Sequence, residues 1–419
     1  MSEINRINLA MHDGNTNVTY DAGLTPEIKI FWSDRLIDLV EPKLVHSQFA
    51  QKHPIPSGTG KTIEFRKWSS LPKMLTPLTE GVTPDGQKMR MSVITAHIDQ
   101  YGGYVETSDI LQLTAIDNIS SQAIEQIARQ AHRSIDTLDR DVMCAGTNVI
   151  YANGKSARAS LSGADTLKVD DIKRAVRQLK VMNAEPVDSD YVAIIHPDVT
   201  YDLTNDPEWK YPHMYVDTEN MYSGEIGRIA GVRFVETTEA KKFTVSDDFP
   251  AGDSAKVDKY DANTLTITLK GALTVAQANA LHGRMVQIGT TTGNFAFVRT
   301  AYCDGPVGII ELINAPLLAV PANGNTISDA SVGAVEASDS KGRDVYATLV
   351  LGANAYGTTE ISGGGLEFIA KQLGSAGTAD PLNQRATQGW KCTRATKILV
   401  EEYMVRIESC STFNDHIAN

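Results

Sequence analysis

Two triplets, Gly60-Lys61-Thr62 and Gly154-Lys155-Ser156, are the stretches of this chain that come nearest to nucleotide chemistry. A phosphate-binding loop needs another glycine five residues ahead of the first, so that a nest of backbone amides can cradle the phosphate. Ile55 and Val149 stand at those positions. Neither triplet opens a helical pattern, and both read as lysines in turns. The nine histidines include no His-x-x-x-His or His-Glu-x-x-His pair, and none neighbours a cysteine, so local spacing supports no zinc site. His196, before Pro197, reads as the end of a strand. Cys144 has no base or cationic cluster beside it, which suits a packed thiol rather than a nucleophile. No Gly-x-Ser-x-Gly elbow occurs. Glu401 and Glu402 are adjacent, as are Asp247 and Asp248, so on a strand each pair splits between opposite faces. The sequence thus offers no catalytic, cofactor-binding or metal-ligating residue. A site assembled from distant residues would escape such a search.

Bulk composition narrows the class. The chain has 419 residues, 42% hydrophobic and 21% charged, with room for two or three domains. Net charge is −12 and the pI is near 5.3. General electrostatic wrapping of nucleic acid is excluded, because that mode needs a basic surface, although a local basic patch is compatible with the total. No run of about 18 apolar residues exists, so no transmembrane helix is expected. Met1–Ala10 lacks the apolar core of a secretory signal. The four cysteines are scattered and read as reduced thiols of a protein folded in a cytoplasm.

The elements that must carry any function begin with one long amphipathic helix over Ile119–Gly146. Ile124, Ile127, Ala131, Ile135, Leu138 and Val142 recur at steps of three and four. Glu125, Gln126, Arg129, Arg133, Asp136 and Arg140 form the opposite, solvent-facing side. Glu125/Arg129 and Asp136/Arg140 are acid-before-base pairs at the favourable spacing. At 1.5 Å per residue the rod is about 40 Å long and needs a partner surface. Ahead of it, residues 1–24 read as a polar arm, and Thr25-Pro26-Glu27 starts a helix that Pro42 ends. Lys61–Trp68 alternates as a strand. Residues 69–100 are punctuated by Pro72, Pro77, Gly81, Pro84 and Gly86 and then alternate from Met89 to Asp99. They read as a long hairpin that Tyr101-Gly102-Gly103-Tyr104 closes. Such a hairpin is marginal alone and must lie on another surface.

After the long helix, Val169–Met182 is a second amphipathic helix capped by Asp170 or Asp171. Tyr191–Ile195 is a buried strand, Val199–Leu203 a short helix and Val232–Val235 another strand, with a turn at Gly224–Arg228. Residues 244–342 are rich in Thr, Ala, Gly and Asn and read as an inserted all-β module, with strands around Leu265–Leu269, Met285–Ile288, Phe295–Val298 and Ile309–Leu312. Tyr346–Leu351 and Leu366–Ala370 are strands, Asn383–Gly389 a turn, and Lys397–Ile407 a final strand.

The order of these parts resembles the Johnson fold of tailed-bacteriophage major capsid proteins, an α+β architecture. Particular strings resemble the branch of the Enquatrovirus-type podophage. They are Pro77–Pro84, Gln100–Val105, Tyr191–Pro197, Gly224–Thr237, and Asp380–Gln384 with Gly389-Trp390-Lys391. The resemblance implies an N-terminal arm and first helix over 1–53, an extended hairpin loop over 54–104, and a peripheral domain with spine helix over 105–164. It further implies an axial domain over 165–243 that returns at 343–365, the inserted module at 244–342, and peripheral-domain strands over 366–419. The implied function is non-enzymatic: self-assembly into pentamers and hexamers of an icosahedral head around double-stranded DNA. A separate scaffolding protein, a portal and decoration proteins are the implied partners, DNA is met only by non-specific inner-surface contact, and no membrane is involved. Assembly would take place in the host bacterial cytoplasm. Some shells of this fold crosslink through a hairpin lysine; Lys73 and Lys88 lie in this hairpin and read as surface charges. The rivals are an encapsulin-like compartment shell, which shares the fold, and a soluble hydrolase with an accessory β module.

Overall fold

The computed structural model describes residues 45–68, 71–77, 80–81, 83, 85–110, 119–209, 227–291, 293–335, 341–371, 375, 382 and 384–417. The expected arm and first helix, most of the turn at Gly224–Arg228 and part of the string Pro77–Pro84 lie outside them. The chain divides into two compact units: Gln51–His132 with Gly357–Leu399 in the first, and Leu44–Ala50, Arg133–Tyr356 and Val400–Asn419 in the second.

The first unit is built on a five-stranded sheet. Its central strand, Arg385–Ile398, is flanked by Tyr356–Thr359 and Glu367–Lys371, and Asp99–Ser108 pairs with it antiparallel along ten residues. Two segments read as turns are therefore strands. Tyr101–Tyr104 does not close a hairpin, and the turn expected over Asn383–Gly389 gives way to strand at Arg385. Glycine misled the reading: in strands it often marks close backbone approach. Gly102 faces Lys391, Gly103 faces Trp390 and Tyr104 faces Gly389 across the pair. A methyl group on Gly102 would lie 2.6 Å from the Trp390 carbonyl oxygen, and one on Gly389 would lie 2.8 Å from Cβ of Tyr104. The Trp390 indole donates to Oε1 of Gln130 at 3.2 Å, tying this sheet to the long helix.

That helix spans Ile119–Cys144. Ile124, Ile127, Ala131 and Ile135 are buried as the stripe requires, and Leu138 and Val142 are half-buried. Arg129 reaches Glu125 one turn back. The second expected pair is not made, because Asp136 and Arg140 are themselves buried. Asp136 accepts from the backbone amides of Val45 and His46 at 3.1 and 2.9 Å and pairs with Nδ1 of His46 at 2.7 Å. Arg140 donates to Asp141 at 3.1 Å and to the Glu239 carbonyl at 2.9 Å. Asp136, Asp139, Arg140 and Asp141 in the last turns are all buried, so their charges are paired rather than solvated.

The second unit holds a seven-stranded sheet. Tyr191–Ile195 lies between Val232–Glu236, parallel, and Val345–Leu351, antiparallel. Both faces of this strand are covered, which is why it reads as a continuous apolar run. The helices Val169–Val181 and Pro197–Asn205 pack on one face through Ile172, Val176, Leu179, Val199 and Leu203. Neither Asp170 nor Asp171 is the N-cap: Asp171 sits inside the first turn, where it accepts from the Lys168 amide at 3.4 Å. Lys397–Ile407 is not one strand either. The chain leaves the first sheet at Ile398, makes a 3-10 turn over Glu401–Tyr403, and enters the second sheet as Met404–Ser409.

The inserted segment forms its own six-stranded antiparallel sheet, in the order Val257–Asp261, Thr266–Leu269, Val307–Leu312, Phe295–Asp304, Met285–Ile288 and Ile327–Asp329. It has a separate core around Ile267, Leu269, Val286, Val298 and Ile310. The module is β-rich rather than all-β, because it includes the helix Val275–Leu281. Thr274 and Gln277 cap its start reciprocally, at 3.2 and 3.0 Å.

On the strand Met404–Ser409, Arg406 and Glu408 share a face. Glu408 is fully buried and takes Arg158 at 2.6 and 2.7 Å and Arg406 at 2.8 Å. Burial alone would raise the Glu408 carboxyl, but the two guanidinium groups hold it down at about 2, against an ordinary 4.5. A carboxyl depressed on folding stabilises the fold fully above its unfolded value, and that contribution fades as pH falls from about 4.5 toward about 2. Glu408→Gln is expected to cost about 3–5 kcal/mol in urea unfolding, because it strands two buried cations, and to flatten the acid limb of stability against pH. An unchanged urea midpoint would show that the triad contributes nothing. Gly102→Ala is expected to destabilise by about 1–3 kcal/mol through the clash with Trp390, whereas Gly86→Ala, in open space, should stay within about 0.5 kcal/mol of the parent.

Candidate assembly surface

The ribbon in the first unit pairs Thr62–Trp68 with Met91–His97, antiparallel, from Thr62 opposite His97 to Trp68 opposite Met91. Residues 69–90 therefore connect the strands, and none of those described is a strand. At the base, the Ile98 amide donates to the Lys61 carbonyl at 2.8 Å, and the Phe65 ring meets His53 edge-on at 5.6 Å.

Alternation splits the ribbon into two faces. Ile63, Phe65, Ile94 and Ala96 share one, and all are at least half-buried. The other carries Thr62, Glu64, Arg66 and Trp68 opposite His97, Thr95, Val93 and Met91. Every residue on it is exposed. Trp68 is 58% exposed, and Met91 and Val93 beside it are 44% and 45%. Beyond the strands, Leu71, Met74, Leu75 and Met89 are bare as well. Single exposed apolar residues are ordinary, but a contiguous patch rimmed by charge marks an interaction surface. Trp and Met are also the types enriched at protein interfaces.

The chemistry candidates are dispersed. Lys61 stands at the ribbon base. Lys155 lies 3.6 Å from Asp165, beside the 3-10 turn that Gly154 ends. Cys144 is fully buried, and burial pushes its thiol up to about 11, leaving it inert. His196 caps the helix Pro197–Asn205, its Nδ1 accepting from the Asp198 amide at 3.2 Å. Lys73 and Lys88 are exposed in the ribbon connection. Among the described residues, no three His, Cys, Asp or Glu gather where they could hold a metal ion, and no helix is long and apolar enough to cross a membrane. Sequence reasoning missed the true partner of Met91–His97, although the period-two alternation of Ile63 and Phe65 signalled it.

Residues 137–290 match the family model described as phage capsid protein. No curated protein matches the sequence. Among solved structures, the fold is similar to that of a chain in the cyanophage Pam1 capsid asymmetric unit, with TM-score 0.52, 9% identity and coverage of 90% of this chain and 93% of that one. It is also similar to chains in the capsids of cyanophage P-SCSP1u and Ralstonia phage GP4, each with TM-score 0.51 and 11% identity. The first of these matches spans 87% of both chains, and the second 88% of this chain and 89% of the other. At such identity the structures establish the fold. The fold is that of phage capsid proteins, and residues 137–290 match the phage capsid family. The encapsulin-like and hydrolase readings are not favoured.

Because the outer face of the ribbon is exposed, Trp68→Ser with Met91→Ser should leave urea stability within about 0.5 kcal/mol of the parent while lowering the binding of a hydrophobic dye. A loss of several kcal/mol would mean that these side chains are packed in the subunit after all.

Proposed function

We propose that many copies of this chain form the pentamers and hexamers of an icosahedral head around double-stranded DNA, and that the ribbon at 62–97 is the extended loop each subunit lays across a neighbour. The observation that carries this reading is the bare apolar face of the ribbon, on a chain with a phage capsid fold. An interface between unlike patches of identical subunits closes into rings when the rotation allows, and that is the geometry of a capsomer. The sheet around Arg385–Ile398 and the long helix then serve as the peripheral domain, and the sheet around Tyr191–Ile195 as the axial domain. The module at 244–342, a separate core spliced into a loop, stands on the outer surface, where a decoration protein would meet it. A separate scaffolding protein and a portal complete the assembly, which takes place in the bacterial cytoplasm. Net charge −12 suits a container that holds its DNA loosely.

Electron microscopy of the purified chain, alone and with its scaffolding partner, tests this directly. Closed shells are expected from the parent, and Trp68→Asp with Val93→Asp should stop assembly at subunits or small oligomers. A parent that stays monomeric under all conditions, or a double variant that still closes shells, would count against the proposal.

A further inference from the structure

A second surface, on the second unit, carries charge opposite in sign to the chain's net charge. The helix Val169–Val181 turns Lys173, Arg177 and Lys180 to solvent. Steps of four and three put these cations on one stripe. The stripe lines a shallow groove of about 470 Å³ together with Val176, Val181 and Ala230. Ala230 belongs to the tight turn between Arg228–Ile229 and Val232–Glu236, with φ 53°, so that turn forms the far wall. Lys173 pairs with Glu208 at 2.5 Å. Arg177 and Lys180 have no ion-pair partner among the described residues. Val181 is 61% exposed and Met182, next to it, is 44% exposed. The arrangement is a pair of uncommitted cations beside exposed apolar side chains, in a chain of net charge −12.

We propose that this groove docks an acidic amphipathic helix from a partner protein. The apolar stripe of such a helix would cover Val181 and Met182, and its flanking carboxylates would meet Arg177 and Lys180. Duplex DNA fits less well. It would satisfy the cations, but the phosphates and sugars that dominate its contacts would leave the apolar side chains uncovered. A second copy of the chain would bring net negative charge, and the test below separates it from a helical partner. The inference is independent of the shell reading, because binding is measured on the full chain whatever its assembly state.

The test is fluorescence anisotropy with three labelled probes: a synthetic helical peptide with leucines at every third and fourth position flanked by glutamates, a scrambled peptide of the same composition, and a short DNA duplex. The amphipathic peptide should bind more tightly than either of the others. Arg177→Glu with Lys180→Glu should weaken it about tenfold, the sum of two exposed pairs, and Val181→Asp should weaken it several-fold. All these residues are exposed, and circular dichroism confirms that each variant folds. Peptide binding unaffected by any substitution, or no binding at all, overturns the proposal. So does duplex binding as tight as peptide binding and lost with the same charge reversal, which would make the groove a nucleic-acid surface. Loss of self-association by the charge-reversed chain without peptide would make it a contact between copies instead, and also overturns it.

Discussion

A two-stranded ribbon can cover one of its faces at most against the body that bears it, and in this chain the other face is left to water. Ile63, Phe65, Ile94 and Ala96 use the covered side. Trp68, Met91 and Val93 line the bare one, and the apolar residues of the connection extend it. Leaving a side chain of this size in solvent forgoes roughly 1.5–3 kcal/mol that burial would supply. Several together form a reserve that only association can realise. The rest of the first unit anchors the ribbon at its base. The ribbon runs directly into Asp99–Ser108, which is fixed along its length to Arg385–Ile398. Gly102 and Gly389 let those two backbones approach closely enough for the register to hold, and Gly103 leaves room for the Gln130 side chain.

The second unit is held differently. Around the C-terminal turns of the long helix, charges are buried and each has a partner. Arg406 donates to the carbonyls of Cys144 and Gly146, placing a cation at the helix C-terminus where the macrodipole favours one. It also pairs with Glu408, which Arg158 completes. Lys241 reaches Asp141 at 3.1 Å. Buried ion pairs add little net stability over an apolar core of equal volume, but they penalise every arrangement that breaks them.

Much of the architecture was legible from pattern alone. The long helix, the buried strand Tyr191–Ile195 and the strands of the 244–342 segment followed from period and composition, because burial on one stripe or on both faces leaves a plain signature. What misled were residues whose meaning depends on a distant partner. Asp136 and Arg140 sit at positions that look solvent-facing until His46 and the Glu239 carbonyl are brought to them across the fold. Gly102 and Gly389 look like turn residues until each is seen to make room for the other strand. The surface residues were readable only in outline. The chain announced a ribbon with apolar residues and no home for them, but which strand paired with Met91–His97, and which face stayed bare, required the register. The basic stripe on Val169–Val181 escaped notice because the total charge of the chain is acidic.

The central claim is that the outer face of the ribbon is empty in the isolated subunit and filled by association. Hydrogen exchange of the backbone amides in Thr62–Trp68 and Met91–His97, compared between dissociated subunits and assembled particles, addresses it most directly. The account predicts rapid exchange in the subunit and strong protection after assembly, with the amides of Tyr191–Ile195 protected in both. Equal protection of the ribbon in the two states, at the level of the core strand, would contradict it.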